Sequence, residues 1–171
     1  MKNDDELISV QTSSGTDEII ISTRMGQALR FNEDKVRAVG RNSMGVKGIN
    51  LNKQDYVVSS EIIKDKNSQI LTVTENGFGK RTQIEKYRLT SRGGKGVETL
   101  KITDKTGEIV NAFQTDSESD IILLSSIGKA TRLKASDISI IGRATQGVRL
   151  MKVNEDIKVV AVAKIQDKHG E

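Results

Sequence analysis

Ile70-Leu71-Thr72-Val73-Thr74-Glu75-Asn76-Gly77-Phe78-Gly79-Lys80-Arg81 decides the fold of this chain. A β-branched run meets an Asn-Gly pair, and a short return run follows, which is a local hairpin signal because both turn residues tolerate positive φ. The same phrase stands 51 residues upstream, as Ile19-Ile20-Ile21-Ser22-Thr23, Met25-Gly26 and Ala28-Leu29-Arg30-Phe31. It stands again 51 residues downstream, as Ile121-Ile122-Leu123-Leu124, Ile127-Gly128 and Thr131-Arg132-Leu133. The step holds through Arg41, Arg92 and Arg143, through Gly45, Gly96 and Gly147, and through Val46, Val97 and Val148, with no gap. One register, Leu7, Val58, Ile109 and Val160, reaches back to the start. The chain is therefore a repeat of three units, about 17–67, 68–118 and 119–169. Residues 7–12 are expected to be the last strand of a preceding unit.

Each unit reads as about four strands. After the hairpin comes Val36–Val39 or Tyr87–Thr90, then a Gly-rich loop, then Val46–Ile49, Val97–Leu100 or Val148–Leu150. The last strand is Tyr56–Ser59, Ile109–Ala112 or Val159–Val162. At most one short helical turn fits at 32–36 or 134–138, since so short a piece is marginal alone. Four antiparallel strands at this period predict an all-β, propeller-like fold of stacked blades, three full blades plus one leading strand. Gly26, Gly45, Gly77, Gly96, Gly128 and Gly147 are expected to make the turns, because the chain has no proline. Three blades are too few to close a ring. Either the chain is an open arc of a longer array, or copies assemble, and an open arc leaves edges that invite self-association.

Composition removes most catalytic chemistries. Among 171 residues there is no cysteine and a single histidine, His169, so thiolate chemistry, Cys-based zinc and a His-rich metal site are excluded. Carboxylates are scattered, Ser91–Gly96 lacks the spacing and hydroxyl of a phosphate-binding nucleotide loop, and neither Tyr56 nor Tyr87 sits beside a base. No cofactor and no metal are expected. No run approaches the length needed to cross a bilayer, and Lys2 to Glu6 does not read as a secretion signal.

Charge is periodic as well. Residues 30–48, 81–99 and 132–150 each carry a net +3, while the whole chain is +4, so everything outside them is −5. Stacking would align this excess into a basic band suited to the phosphates of a duplex, contacted through the backbone with little sequence preference. The candidate contacts are Arg30, Lys35, Arg37, Arg41 and Lys47; Lys80, Arg81, Lys86, Arg88, Arg92 and Lys95; and Arg132, Lys134, Arg143 and Arg149. Arg30, Arg81 and Arg132 lie on a strand, where a cross-strand ion pair is an equal expectation. A protein-interaction propeller is the competing reading, with its specific residues on loop tips.

The hairpin at 70–81, followed by Tyr87-Arg88-Leu89-Thr90-Ser91-Arg92-Gly93-Gly94-Lys95-Gly96, resembles the C-terminal domain of the bacterial DNA gyrase A subunit over essentially the whole chain. The related topoisomerase IV domain is similar. The resemblance implies a β-pinwheel of normally six blades with strands exchanged between neighbours, and double-stranded DNA wrapped on the rim in support of negative supercoiling. It implies as partners the gyrase B subunit, together with the remainder of the gyrase A subunit, in a cytoplasmic, nucleoid-associated location. Arg41, Arg92 and Arg143, with Lys47, Lys95 and Arg149, become the implied rim contacts. The family's Gln, Arg and Gly-rich box is matched only in part by Ser91–Gly96, so the chain reads as the later half of such a domain. The DNA-cleaving tyrosine and the ATP site belong elsewhere in the parent enzyme.

Overall fold

The computed structural model describes residues 5–165; His169 lies outside them. The described residues form eleven strands and three single 3-10 turns. In chain order the strands are β1 (Glu18–Thr23), β2 (Gln27–Asn32), β3 (Val57–Ile63), β4 (Gln69–Thr74), β5 (Phe78–Gln83) and β6 (Val97–Glu98). They continue as β7 (Ile109–Thr115), β8 (Asp120–Ser125), β9 (Ala130–Lys134), β10 (Val148–Arg149) and β11 (Val159–Ile165). The 3-10 turns Glu33–Lys35, Ile84–Lys86 and Ala135–Asp137 follow the second strand of each unit.

Three sheets form, ordered β3-β1-β2-β6, β10-β5-β4-β7 and β11-β8-β9. Their strand pairs are antiparallel. The hairpins are in equivalent register, with Ile20 opposite Arg30, Leu71 opposite Arg81 and Ile122 opposite Arg132. Each turn bonds the glycine N–H back to Thr23, Thr74 or Ser125. Only the glycine takes positive φ, +88°, +78° and +80° at Gly26, Gly77 and Gly128. Asn76 does not, so the turn is a type I turn closed by a left-handed glycine, and Met25 or Ile127 serves in its place.

The fourth strand departs from the reading of each unit as a self-contained blade and agrees with the strand exchange that the resemblance implies. Val97–Glu98 does not join the sheet of its own unit but pairs with β2 of the preceding one, and Val148–Arg149 pairs with β5. Strands are thus exchanged between neighbours. The expected strands at 36–39 and 46–49 are not strands, and 87–90 contributes one isolated bridge, Leu89 to Arg30. Residues 46–49 have no preceding sheet beside them to complete, and a two-residue pairing does not exist without its partner. The leading strand at 7–12 also does not form. That segment is tied to β3 by a side chain: the Gln11 amide donates to the Ser60 carbonyl at 3.1 Å and accepts from the Ile62 N–H at 3.0 Å. It therefore runs alongside the edge without building a backbone ladder.

The core lies between sheets. Ile20, Ala28, Ile63, Ile70, Ile84, Tyr87 and Ala112 cluster between the first and second. Leu71, Val73, Phe113, Ile121, Leu123, Ile138 and Met151 belong to a second cluster between the second and third. The middle sheet is covered on both faces, so Leu71, Thr72 and Val73 are all fully buried. A blade with one neighbour shows its other face to solvent instead, which is how alternating strands of a stack are stabilised. Strand β7 packs against both β3 and β11. These strands form the inner side of the arc, and β6 and β10 lie at its outer edge.

Candidate nucleic-acid interface

After its 3-10 turn each unit throws an arch, and in the second and third units that arch crosses the outer edge of the preceding sheet. In the second unit the arch leaves the 3-10 turn after Lys86, is pinned where Thr90 N–H donates to the Arg30 carbonyl at 2.9 Å, and ends at β6. In the third it starts where Arg81 N–H donates to Ser139 at 3.0 Å and ends at β10. Gly96 and Gly147 permit the closing bend, with φ of +80° and +78°. A Cβ on Gly96 would sit 2.5 Å from the Ala28 carbonyl oxygen, and one on Gly147 would sit 2.6 Å from that of Gly79, so only glycine fits.

The arches are bonded side by side. Gly93 N–H donates to Gly48 O at 2.7 Å and Asn50 N–H to Gly94 O at 2.8 Å, joining the first arch to the second. Lys101 N–H donates to Thr145 O at 3.0 Å, joining the second to the third. The arginines staple the same seams. Arg92 Nε donates to Lys35 O at 3.0 Å and its Nη1 to Lys47 O at 2.5 Å, while Arg143 Nη1 donates to Glu98 O at 2.8 Å. Arg41 is exposed and has no such carbonyl beside it among the described residues.

This arrangement sorts the fifteen cations. Arg37, Arg41, Lys47, Arg88, Lys95 and Arg149 are exposed on the arches, and no carboxylate pairs with them among the described residues. Arg149 lies 5.1 Å from the centre of the Phe78 ring, which holds it in place. Lys35 and Lys86 are exposed but sit 3.1 Å from Asp34 and Glu85, their neighbours in sequence. Arg132 and Lys134 are exposed at the third unit and both pair with Asp120. Arg92 and Arg143 are half-buried, with some of their donors already used on carbonyls.

Three residues of the sequence-derived set leave it. Arg30 is enclosed in an ion pair with Glu18 and donates to the Ile84 and Tyr87 carbonyls at 2.9 and 3.0 Å. Arg81 is 5% exposed and donates to Ile138 O at 2.9 Å and Gln69 Oε1 at 3.2 Å. Burial holds its guanidinium below the ordinary arginine value. Lys80 has no exposed surface, and its ammonium donates to the carbonyls of Gly142 and Arg143 and to Thr145 Oγ1 at 3.0 Å. Burial lowers its pKa to about 8. These three cannot reach an external phosphate. They hold the outer edge of one unit to the arch or 3-10 turn of the next.

The inner side has a different character. Arg24 pairs with Glu108 and with Glu75 at 3.3 Å, and Lys158 approaches Glu75 at 3.6 Å, so one chain of charges spans all three units. It borders a cleft of about 430 Å³ lined by Ile8, Tyr56, Val57 and Val160. Tyr56 stacks under Arg24 at 5.4 Å, and Tyr87 is buried with its hydroxyl 2.6 Å from Thr99 Oγ1. Among the described residues no three His, Asp or Glu side chains gather to hold a metal ion, and no helix is long and apolar enough to cross a membrane.

A family model described as the DNA gyrase C-terminal domain, beta-propeller, matches residues 17–64, 68–116 and 119–166. The chain belongs to the DNA gyrase A C-terminal domain family. It is 43% identical over 167 residues to the DNA gyrase A protein of Staphylococcus epidermidis, and 42% identical to that of Staphylococcus aureus. Both alignments cover 97% of this chain and 19% of the relative, so the chain spans about a fifth of those proteins. Its structure is similar to the C-terminal domain of a DNA topoisomerase IV, with a TM-score of 0.92 at 29% identity over 97% of this chain and 52% of the other. A DNA gyrase A C-terminal domain matches with a TM-score of 0.81 at 30% identity, over 88% of this chain and 51% of that one. The all-β blade architecture is common to this family and these structures.

Proposed function

We propose that this chain binds the phosphates of duplex DNA along the line of arches, with little regard to base sequence, and bends or wraps the duplex there. The observation that carries this reading is the set of exposed cations without carboxylate partners, Arg37, Arg41, Lys47, Arg88, Lys95 and Arg149, on arches bonded side by side. Stapled arches offer charges at fixed positions, which lowers the ordering cost of a phosphate contact. The arches carry no helix to enter a groove and expose backbone amides and long cationic side chains, which favours contact with the DNA backbone. In a bacterial gyrase A protein, working in the cytoplasm with its B-type partner, the surface would guide the path of DNA and so support negative supercoiling. Strand cleavage and ATP hydrolysis would fall to parts of the enzyme outside this chain, and no cofactor is needed here. A topoisomerase IV type of role is the second reading, favoured by the TM-score of 0.92.

Duplex binding over a salt series tests the proposal. About six phosphate contacts predict an affinity loss on the order of 10³ between 50 and 200 mM salt, nearly the same for unrelated sequences. Affinity that rises with duplex length beyond a contact footprint supports wrapping. Affinity indifferent to salt refutes the phosphate reading.

A further inference from the structure

One position at the start of the arches is apolar in every unit and stays open to solvent. Ala38, Leu89 and Ile140 stand at the same step of the repeat, and all three are exposed. Leu89 and Ile140 are each 47% exposed, and neither belongs to a core cluster. The joint between units does bury a neighbouring position. Val36, which has no sheet before it among the described residues, is 39% exposed, while its equivalents Tyr87 and Ile138 are 1% exposed. Two residues further on, the same joints leave Leu89 and Ile140 open. Leu89 has a unit on either side of it, so its exposure does not come from standing at an end. The backbone at both positions is fixed. Leu89 bridges in parallel to Arg30 on β2, and Ile140 to Arg81 on β5. Thr90 N–H donates to Arg30 O at 2.9 Å, and Ile141 N–H to Arg81 O at 2.9 Å. Each aliphatic side chain stands three residues before a stapling arginine, Arg92 or Arg143, and Leu89 follows the exposed Arg88.

We infer that Leu89 and Ile140 press into the minor groove of the bent duplex and open a base step there, so that the duplex settles with flexible pyrimidine–purine steps at these two points. This deepens the reading of the arches as a phosphate-binding surface and rests on it. A duplex wrapped on a protein turns its minor groove inward about once per helical turn, and aliphatic side chains at such places unstack a step and kink the duplex. An aliphatic side chain gains nothing from a phosphate and has no hydrogen bond to offer a base edge. It therefore carries no base code, and its preference comes from how cheaply a step deforms, which is least costly at pyrimidine–purine steps. Covering the half-open aliphatic surface offsets the cost of unstacking. The pinned backbone keeps the ordering cost low. Arg88, exposed and without a carboxylate partner among the described residues, takes the phosphates that border the groove beside Leu89. Ala38 is too short to wedge, which confines the effect to the second and third units.

The test uses the full 171-residue chain and the variants Leu89→Ala, Ile140→Ala and both together. The probes are duplexes labelled at their ends for energy transfer and carrying the fluorescent base aminopurine at pyrimidine–purine steps. The parent should brighten the aminopurine, as unstacking does, and bring the duplex ends closer. The double variant should lose most of the brightening, bend the duplex less and bind about tenfold more weakly. Its melting temperature should be unchanged, since both side chains are open to solvent. Its salt slope should match the parent's, because no phosphate contact is removed. Arg88→Gln should instead shallow that slope by about one and keep the brightening at saturation. Leu89→Met, with similar reach, should behave as the parent. The parent should prefer duplexes rich in flexible steps over those without them, and the double variant should lose that preference. Salt-dependent binding by the parent with no brightening, or a double variant that brightens, bends and binds like the parent, would overturn this inference and leave the phosphate reading standing. Affinity indifferent to salt would overturn that reading, and this inference with it.

Discussion

Lys80 gives the sharpest quantitative test of the outer-edge joints. It occupies the register of Leu29 and Thr131 on a buried strand, yet it is a lysine whose ammonium faces two carbonyls and a hydroxyl of the next arch. Burial is the dominant influence on it and lowers its pKa from 10.5 to about 8. A base with a depressed folded pKa is protonated more readily in the unfolded chain, so at neutral pH its charge works against folding. That cost diminishes as pH rises from about 8 towards 10.5. With those two values, the Lys80 contribution to stability improves by about 2–3 kcal/mol between pH 7 and pH 10. Other lysines and tyrosines titrate in this range, so the measurement is a difference between the parent and Lys80→Met, which keeps the length and loses the charge. Urea unfolding at pH 7, 8, 9 and 10 should show stability shifting in favour of the parent by about that amount, or about 5–10 °C in melting temperature. Lys80→Met also leaves the Gly142 and Arg143 carbonyls without their donor, a penalty that does not change with pH and so cancels from the slope. A parent-minus-variant difference that is flat across the series would refute the claim that the ammonium is held at a desolvation cost.

Other predictions follow from the same contacts. Glu18→Gln removes the partner of Arg30 and Lys66. Burial raises the Glu18 pKa, but these two cations outweigh it and hold the carboxyl below its usual value. The parent's advantage should therefore be full at neutral pH and be lost as pH falls through that lowered pKa, as acid titration of the two unfolding curves would show. Arg30→Ala should cost about 2 kcal/mol in a urea titration, since it leaves the buried Glu18 carboxylate with Lys66 alone and takes the donor from the Ile84 and Tyr87 carbonyls. Gly77→Ala should be more damaging than Gly128→Ala. Both meet the left-handed backbone penalty, about 1–2 kcal/mol, but only the first collides with the Met151 carbonyl, and the two melting temperatures should differ accordingly. Arg41→Glu should weaken duplex binding several-fold with an unchanged melting temperature, because Arg41 is exposed and makes no staple. Arg92→Glu should lower both, since it also gives up the bonds to Lys35 and Lys47.

What was legible in the sequence was whatever repeats locally. The 51-residue step, the three hairpins and their glycines stand in the residues because strand alternation and turn geometry act over a few positions. Which sheet receives Val97 and Val148 does not. Translating a segment by one unit leaves the pattern unchanged, so periodicity cannot distinguish a strand kept from a strand lent. The burial of Lys80 was hidden for a related reason, because its register holds Leu29 and Thr131 in the other units and its partners lie 62 to 65 residues away. The role of Arg30, Arg81 and Arg132 had a readable signal. Glu18, Gln69 and Asp120 each stand twelve residues upstream, diagonally across the hairpin, and each takes a hydrogen bond from its arginine. The stapling by Arg92 and Arg143 had none, since a carbonyl acceptor has no residue type.

Lending a strand back to the preceding sheet has a consequence for how the chain opens. The Val97 and Glu98 backbone lies against Ala28 and Gln27, so exchange of those amides with deuterated water reports on the first sheet although they are encoded in the second unit. Val148 and Arg149 report on the second sheet in the same way. Fraying of the first or the second sheet strips the lender of its anchor and the borrower of its edge together, and melting spreads along the array faster than separate modules would allow.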